Sequence, residues 1–132
     1  PRPYAVIHPF ASAPEKQWNG FPELLKSLSL EPVVIGTPSD DFSPYGQWNC
    51  ETSSLEKTKS ILAGASLFIG NDSGPAHMAA AFGIPSVVLF GPSDEVVWAP
   101  WRTEAQVIKS PDLSQINADT VLEAVNQLGV RA

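Results

Sequence analysis

The chain has 132 residues, of which 43% are hydrophobic, and its 8 Lys and Arg against 14 Asp and Glu leave a net charge of -6. That length supports one domain with a sizeable core, and the acidic balance argues against a broad nucleic-acid footprint, which needs a basic face. Cys50 is the sole cysteine of the sequence, so neither an internal disulfide nor a thiolate metal cluster is available, in keeping with a reducing compartment.

The opening residues do not read as a signal peptide, and no apolar run approaches membrane-spanning length. The start at Pro1, two residues before an expected strand, suits a domain cut from a longer protein. "YAVIH", residues 4–8, reads as a short buried strand, and "PFASAPEKQW" as the loop that follows it. A helix is expected over residues 20–30, with Leu24, Leu25 and Leu28 as its apolar stripe. "PVVIG", 32–36, is a second strand, and residues 37–54 form a polar stretch with Pro38, Pro44 and Gly46 in which "QWNC" can hold an edge strand. Residues 55–64 are expected to be helical, with Leu55, Ile61 and Leu62 inward, before the strand "SLFIG", 66–70. A short helix over 74–82 is closed by Gly83 at its C-terminal cap and by Pro85. "SVVLFG" (86–91) and "AQVIK" (105–109) read as strands, and a helix over 117–128 presents Val121, Leu122, Val125 and Leu128.

Strands and helices thus alternate, and the strands are apolar runs rather than alternating ones, so helices are expected on both faces. The expectation is a single α/β domain over residues 1–132: a Rossmann-like three-layer α/β/α sandwich with a mostly parallel sheet.

Open sheets of this kind bind ligands beyond the carboxyl ends of their strands, and two polar loops fall at such ends. In "HPFASAPEKQW", Ser12 can donate a hydroxyl hydrogen bond and Lys16 can bring positive charge to phosphate oxygens, while Trp18 packs at the helix start and anchors the loop. In "GNDSGPAH", Gly70 and Gly74 permit close backbone approach, and Ser73 is suited to cap the helix. The free amides of Gly74 and Ala76 can face an anion, with the field of the helix N-terminus in their favour. His77 stands in the first turn, where a helical side chain leans back toward the N-terminus. Asp72 repels a phosphate and so fits a different task, capping loop amides or holding His77 in one tautomer. Read from the residues alone, this loop is either a helix cap or an anion site. His8 and His77 make no tight metal-ligand cluster, and Ser73 lacks the surroundings of a hydrolase nucleophile.

Three linked pieces, "HPFASAPEKQW", "LAGASLFIGNDSGPAHMAAAFGIPSVVLFGP" and the "WAPW" of residues 98–101, together resemble glycosyltransferase family 9, the bacterial ADP-heptose:lipopolysaccharide heptosyltransferases. The resemblance runs from about residue 4 to 128 and is most specific in the central block. It implies the C-terminal half of a GT-B fold, which binds a nucleotide-sugar donor such as ADP-heptose; no further cofactor and no metal is expected. It assigns Lys16 to the diphosphate with Ser12 assisting, and Asp72, Ser73, Gly74 and His77 to the pyrophosphate and sugar. It also assigns an acidic residue after the second strand to the ribose, for which Asp40 or Asp41 is the candidate.

The same resemblance implies a partner domain, N-terminal to this one, that binds the lipid-linked saccharide acceptor and carries the carboxylate base. The catalytic base therefore has no candidate here, and the isolated domain is expected to bind donor with little or no turnover. The implied setting is the cytoplasm, at the inner face of the membrane. Two other readings stay open: a GT-B transferase for a UDP- or GDP-sugar, and a non-catalytic α/β binding module that uses "GNDSGPAH" only as a cap. A flavodoxin-like domain is disfavoured, because no acidic cluster follows the first strand and no G-x-G-x-x-G is present.

Overall fold

The computed structural model describes residues 3–11, 17–52, 54–71, 74–90, 105–110 and 113–128. Its strands are β1 (Tyr4–His8), β2 (Glu31–Gly36), β3 (Asn49–Thr52), β4 (Leu67–Asn71), β5 (Ser86–Phe90) and β6 (Ala105–Lys109). They form one sheet in the order β3-β2-β1-β4-β5-β6, and every neighbouring pair is parallel. The helices are α1 (Phe21–Ser27), α2 (Leu55–Ala63), α3 (Gly74–Ala81) and α4 (Ala118–Gln127). α1 packs with α4, and α2 with α3, which completes the expected three-layer sandwich.

The strands are apolar throughout because both faces are covered. Ala5, Ile7, Leu67, Ile69, Val87 and Leu89 join the core with Phe21, Leu24, Val121 and Val125 of α1 and α4. The intervening Val6, Ile35, Phe68 and Val88 point the other way, onto Leu62, Ala76 and Ala79 of α2 and α3. This is the period of two of a strand, expressed with apolar residues at both phases. Alanine at 76 and 79 brings α3 close to the sheet, and both side chains are fully buried.

Helix ends follow local chemistry. Ser54 caps α2 by accepting from the Lys57 N–H, and Asn117 caps α4 by accepting from the Thr120 N–H. α3 ends as expected at Gly83, whose φ of 77° is a left-handed conformation. There the Ile84 N–H reaches the Ala79 carbonyl and the Gly83 N–H reaches that of Ala80, the paired bonds of a Schellman cap.

Two boundaries differ from expectation by more than one residue. α1 stops at Ser27 rather than near residue 30, because Leu28 is already extended at φ -78° and ψ 138°. The chain must turn there to enter β2, whose Glu31 pairs with Tyr4. The stripe of α1 is accordingly Phe21, Leu24 and Leu25, with Leu28 only partly buried. The edge strand expected in "QWNC" is present but shifted to Asn49–Thr52, after a 3-10 turn at Ser43–Tyr45 that Pro44 initiates. It makes "AQVIK" the sixth strand in chain order rather than the fifth.

Candidate functional site

The sheet order reverses at its centre. From β1 the chain builds outward through β2 and β3, then returns to the other side of β1 with β4, β5 and β6. The carboxyl ends of β1 and β4 therefore flank the topological switch point, where open α/β sheets bind their ligands. His8 ends β1 opposite Gly70 of β4, so the loop after β1 and the turn into α3 leave the sheet side by side.

The first of these loops is held at both ends. On leaving β1, Phe10 is buried against Gly36, with its ring edge-on to Phe42 at 5.0 Å and to Tyr45 at 5.9 Å. On re-entry, Trp18 is buried and donates its indole N–H to the Ile116 carbonyl at 2.8 Å. Ser12 and Lys16 belong to the stretch between these anchors and lie outside the described residues. The anchoring expected of Trp18 is observed.

The second loop begins at Asn71, a polar side chain exposed to only 1% at the end of an apolar strand. Its Nδ2 donates to the Pro9 carbonyl at 2.9 Å, tying the exit of β4 to the exit of β1. Its Oδ1 is buried and accepts no hydrogen bond among the described residues. An unmatched buried carbonyl costs about 1–3 kcal/mol, so this group calls for a functional explanation. Reading the residues one at a time passed over Asn71. The available signal was an amide placed where the pattern of the strand calls for an apolar side chain.

Asp72 and Ser73 lie outside the described residues. Gly74 begins α3, so the N-terminus of that helix, whose first amides have no partner within the helix, opens at the switch point. His77 is exposed in the first turn, on the side of the helix away from Ala76 and Ala79. Trp98, Pro100 and Trp101, in the segment after β5, also lie outside the described residues.

The electrostatics around β1 are set by His8. Burial pushes its imidazole down to about 4, and the opposing pull of the Asp40 carboxylate is smaller. His8 is thus neutral at pH 7 and lends no positive charge to an anion. Asp40 and Asp41, both after β2, are used differently. Asp40 Oδ2 accepts from the Thr37 N–H at 2.8 Å and from its hydroxyl at 3.1 Å, and its field reaches His8 at the switch point. Asp41 closes on Ser43 instead, and the bonds from that hydroxyl and N–H hold its carboxyl below the usual range.

Two surface grooves lie elsewhere. One of about 630 Å³ is lined by Pro3, Leu30, Pro32 and Trp48, and one of about 370 Å³ by Tyr4, Val33, Asn49 and Ile61. Both lie toward the amino ends of β1, β2 and β3, at the opposite edge of the sheet from the switch point. Their position does not match the ligand edge of a parallel sheet, and neither gathers the polar loops. Among the described residues no group of three or more His, Cys, Asp or Glu comes together to hold a metal ion. No described helix is long and apolar enough to cross a membrane.

Comparison with known proteins gives an independent line. The pattern of "Glycosyltransferase family 9 (heptosyltransferase)" matches residues 1–124. Lipopolysaccharide heptosyltransferase 3 of Escherichia coli K12 is 35% identical over 115 residues, covering 74% of this chain and 33% of its own length. The solved structure of E. coli ADP-heptose lps heptosyltransferase II superposes with a TM-score of 0.82 at 26% identity, over 96% of this chain and 46% of that one. The structure of E. coli heptosyltransferase WaaC with ADP-2-deoxy-2-fluoro heptose superposes with a TM-score of 0.76 at 24% identity, over 94% of this chain and 42% of that one, a likeness of fold. The chain spans about a third of the length of the first relative and under half of these solved chains.

Proposed function

Because the chain belongs to glycosyltransferase family 9, we propose that it is the donor-binding, C-terminal half of a GT-B heptosyltransferase that uses an ADP-sugar to build lipopolysaccharide core. The observation that carries this reading is the strand order. The exits of β1 and β4 are neighbours at the switch point, so the two loops singled out for phosphate chemistry leave the sheet together. One brings Lys16 and Ser12. The other brings Asp72, Ser73, Gly74 and the N-terminus of α3, with His77 in its first turn.

In this reading the domain binds the diphosphate and stabilises it as it leaves. Inverting transfer breaks the bond between the sugar and the diphosphate while the acceptor hydroxyl attacks. Negative charge builds on the departing oxygen. Lys16 and the amides opening α3 meet that charge, against a chain whose net charge is -6 and whose distant carboxylates are screened by salt. His77, leaning toward the helix start, meets the same group or the sugar. Asp72 holds loop amides or orients His77. Asp40, rather than Asp41, is the acceptor for the ribose hydroxyls, since its field reaches His8 at the switch point. No cofactor or metal is assigned to this half, and the base that activates the acceptor hydroxyl belongs to an N-terminal partner domain. That domain also takes the lipid-linked saccharide, at the cytoplasmic face of the membrane.

The test is calorimetric titration of the chain with ADP, UDP and GDP, alone and as their sugars. Binding of ADP forms, weakened by Lys16→Ala and by His77→Ala, supports the reading. Preference for UDP or GDP redirects it to another GT-B transferase, and affinity untouched by both substitutions reduces "GNDSGPAH" to a cap. Robust turnover of ADP-heptose by this chain alone refutes the division of labour.

A further inference from the structure

The bond from Asn71 Nδ2 to the Pro9 carbonyl spans 62 positions in sequence and joins the last residue of β4 to the first residue after β1. Pro9 leads through Phe10 and Ala11 into the stretch of Ser12 and Lys16, and Asn71 leads through Asp72 and Ser73 into α3. The neighbouring buried strand positions, Ile69 and Leu89, are apolar, and an apolar residue would also fill position 71. Asn instead makes one buried bond and leaves its Oδ1 unmatched among the described residues. For stability alone the gain and the cost are of similar size, so what the amide adds is geometry: a fixed distance between two loops.

The geometry points to Asn71 as a positioning residue of the nucleotide site, acting through the Pro9 carbonyl to set the spacing of the two phosphate-binding loops. The inference rests on the donor-site reading above. Asn71 does not touch the ligand, because its side chain is buried. A diphosphate offers only acceptor oxygens and cannot supply a hydrogen to Oδ1.

Two substitutions isolate the tether. Asn71→Leu keeps the approximate volume and removes both polar atoms. Asn71→Asp keeps acceptors and, as the carboxylate at a pH where it is ionised, turns an oxygen toward the Pro9 carbonyl with no hydrogen between them. Leu62→Ala is the control, since it opens a cavity in the core beside α2, away from both exits. ADP affinity is measured by calorimetry on folded protein, well below each variant's Tm. The expected result is ADP binding roughly tenfold weaker in both Asn71 variants, with Leu62→Ala binding as the unaltered chain does despite its lower Tm. Asn71 variants that bind ADP as well as the unaltered chain, or that lose no more affinity than Leu62→Ala, overturn the inference and leave the donor site standing. An unaltered chain that binds none of ADP, UDP and GDP overturns the donor-site reading and this inference with it.

Discussion

Trp18 and Ile116 are 98 positions apart in sequence, yet the indole N–H of one donates to the carbonyl of the other at 2.8 Å. The contact fastens the end of the β1 loop to the approach to α4, on the face where α1 and α4 pack. The Trp18 ring also lies edge-on to Phe21 at 5.0 Å and fills the space beside Gly20.

Trp18→Phe keeps most of that packing and removes the donor, leaving the Ile116 carbonyl without its hydrogen. Urea unfolding should show a loss of about 1–2 kcal/mol. Trp18→Ala adds a cavity and should cost about 3–5 kcal/mol. No loss in Trp18→Phe would show that the hydrogen bond adds nothing to the packing, and equal losses in the two variants that the packing adds nothing to the bond.

His8 gives the fold a pH dependence of definite sign. Its imidazole is held at about 4 in the folded chain against 6.5 when exposed, so between those values the unfolded chain binds more protons. Stability is full above pH 6.5 and falls as pH drops toward 4, by up to about 3 kcal/mol from this group. His8→Gln should flatten the slope of unfolding free energy between pH 6.5 and 4. An unchanged slope in that variant counts against the assignment.

The two glycines that bracket α3 should fail for different reasons. At Gly83 the φ of 77° is strained for any residue with a Cβ, so Gly83→Ala should cost about 1 kcal/mol, and Gly83→Asn less. At Gly70 a Cβ would stand 2.7 Å from the Phe68 ring and 3.0 Å from the His8 carbonyl. Gly70→Ala should therefore cost about 1–3 kcal/mol by overpacking. Thermal unfolding of the pair measures both, and a Gly83→Asn as unstable as Gly83→Ala would contradict the conformational account.

The acidic pair after β2 should separate by ligand. Asp40→Asn is expected to weaken ADP roughly tenfold, the size of one lost hydrogen bond to a charged acceptor, and to leave inorganic pyrophosphate unaffected. Asp41→Asn should leave both affinities unchanged. The opposite pattern in calorimetric titrations would make Asp41 the ribose acceptor.

Much of the fold was legible in residue order. The apolar runs of β1, β2, β4 and β5 and the stop at Gly83 and Pro85 each depend on residues within a few positions of one another. The stretch from 37 to 54 was the hardest to read, because Pro38, Pro44 and Gly46 break any period. Its strand is settled by pairing instead, with Cys50 beside Val34 and Glu51 beside Ile35. The early end of α1 has the same origin: Leu28 is helix-compatible by itself, and the register of β2 on β1 turns it out of the helix.

The candidate site divides along the same line. Residue chemistry alone singled out Lys16, Ser73, Gly74 and His77, because a cation, a cap and a helix start have local signatures. It could not pair the two loops or notice Asn71. Those depend on β4 lying beside β1 and on an amide of one exit meeting a carbonyl of the other. Hydrophobic period and capping are short-range and are written in order along the chain. The neighbour of a strand end is decided by sheet order, which forms only when segments tens of residues apart bury their apolar faces together.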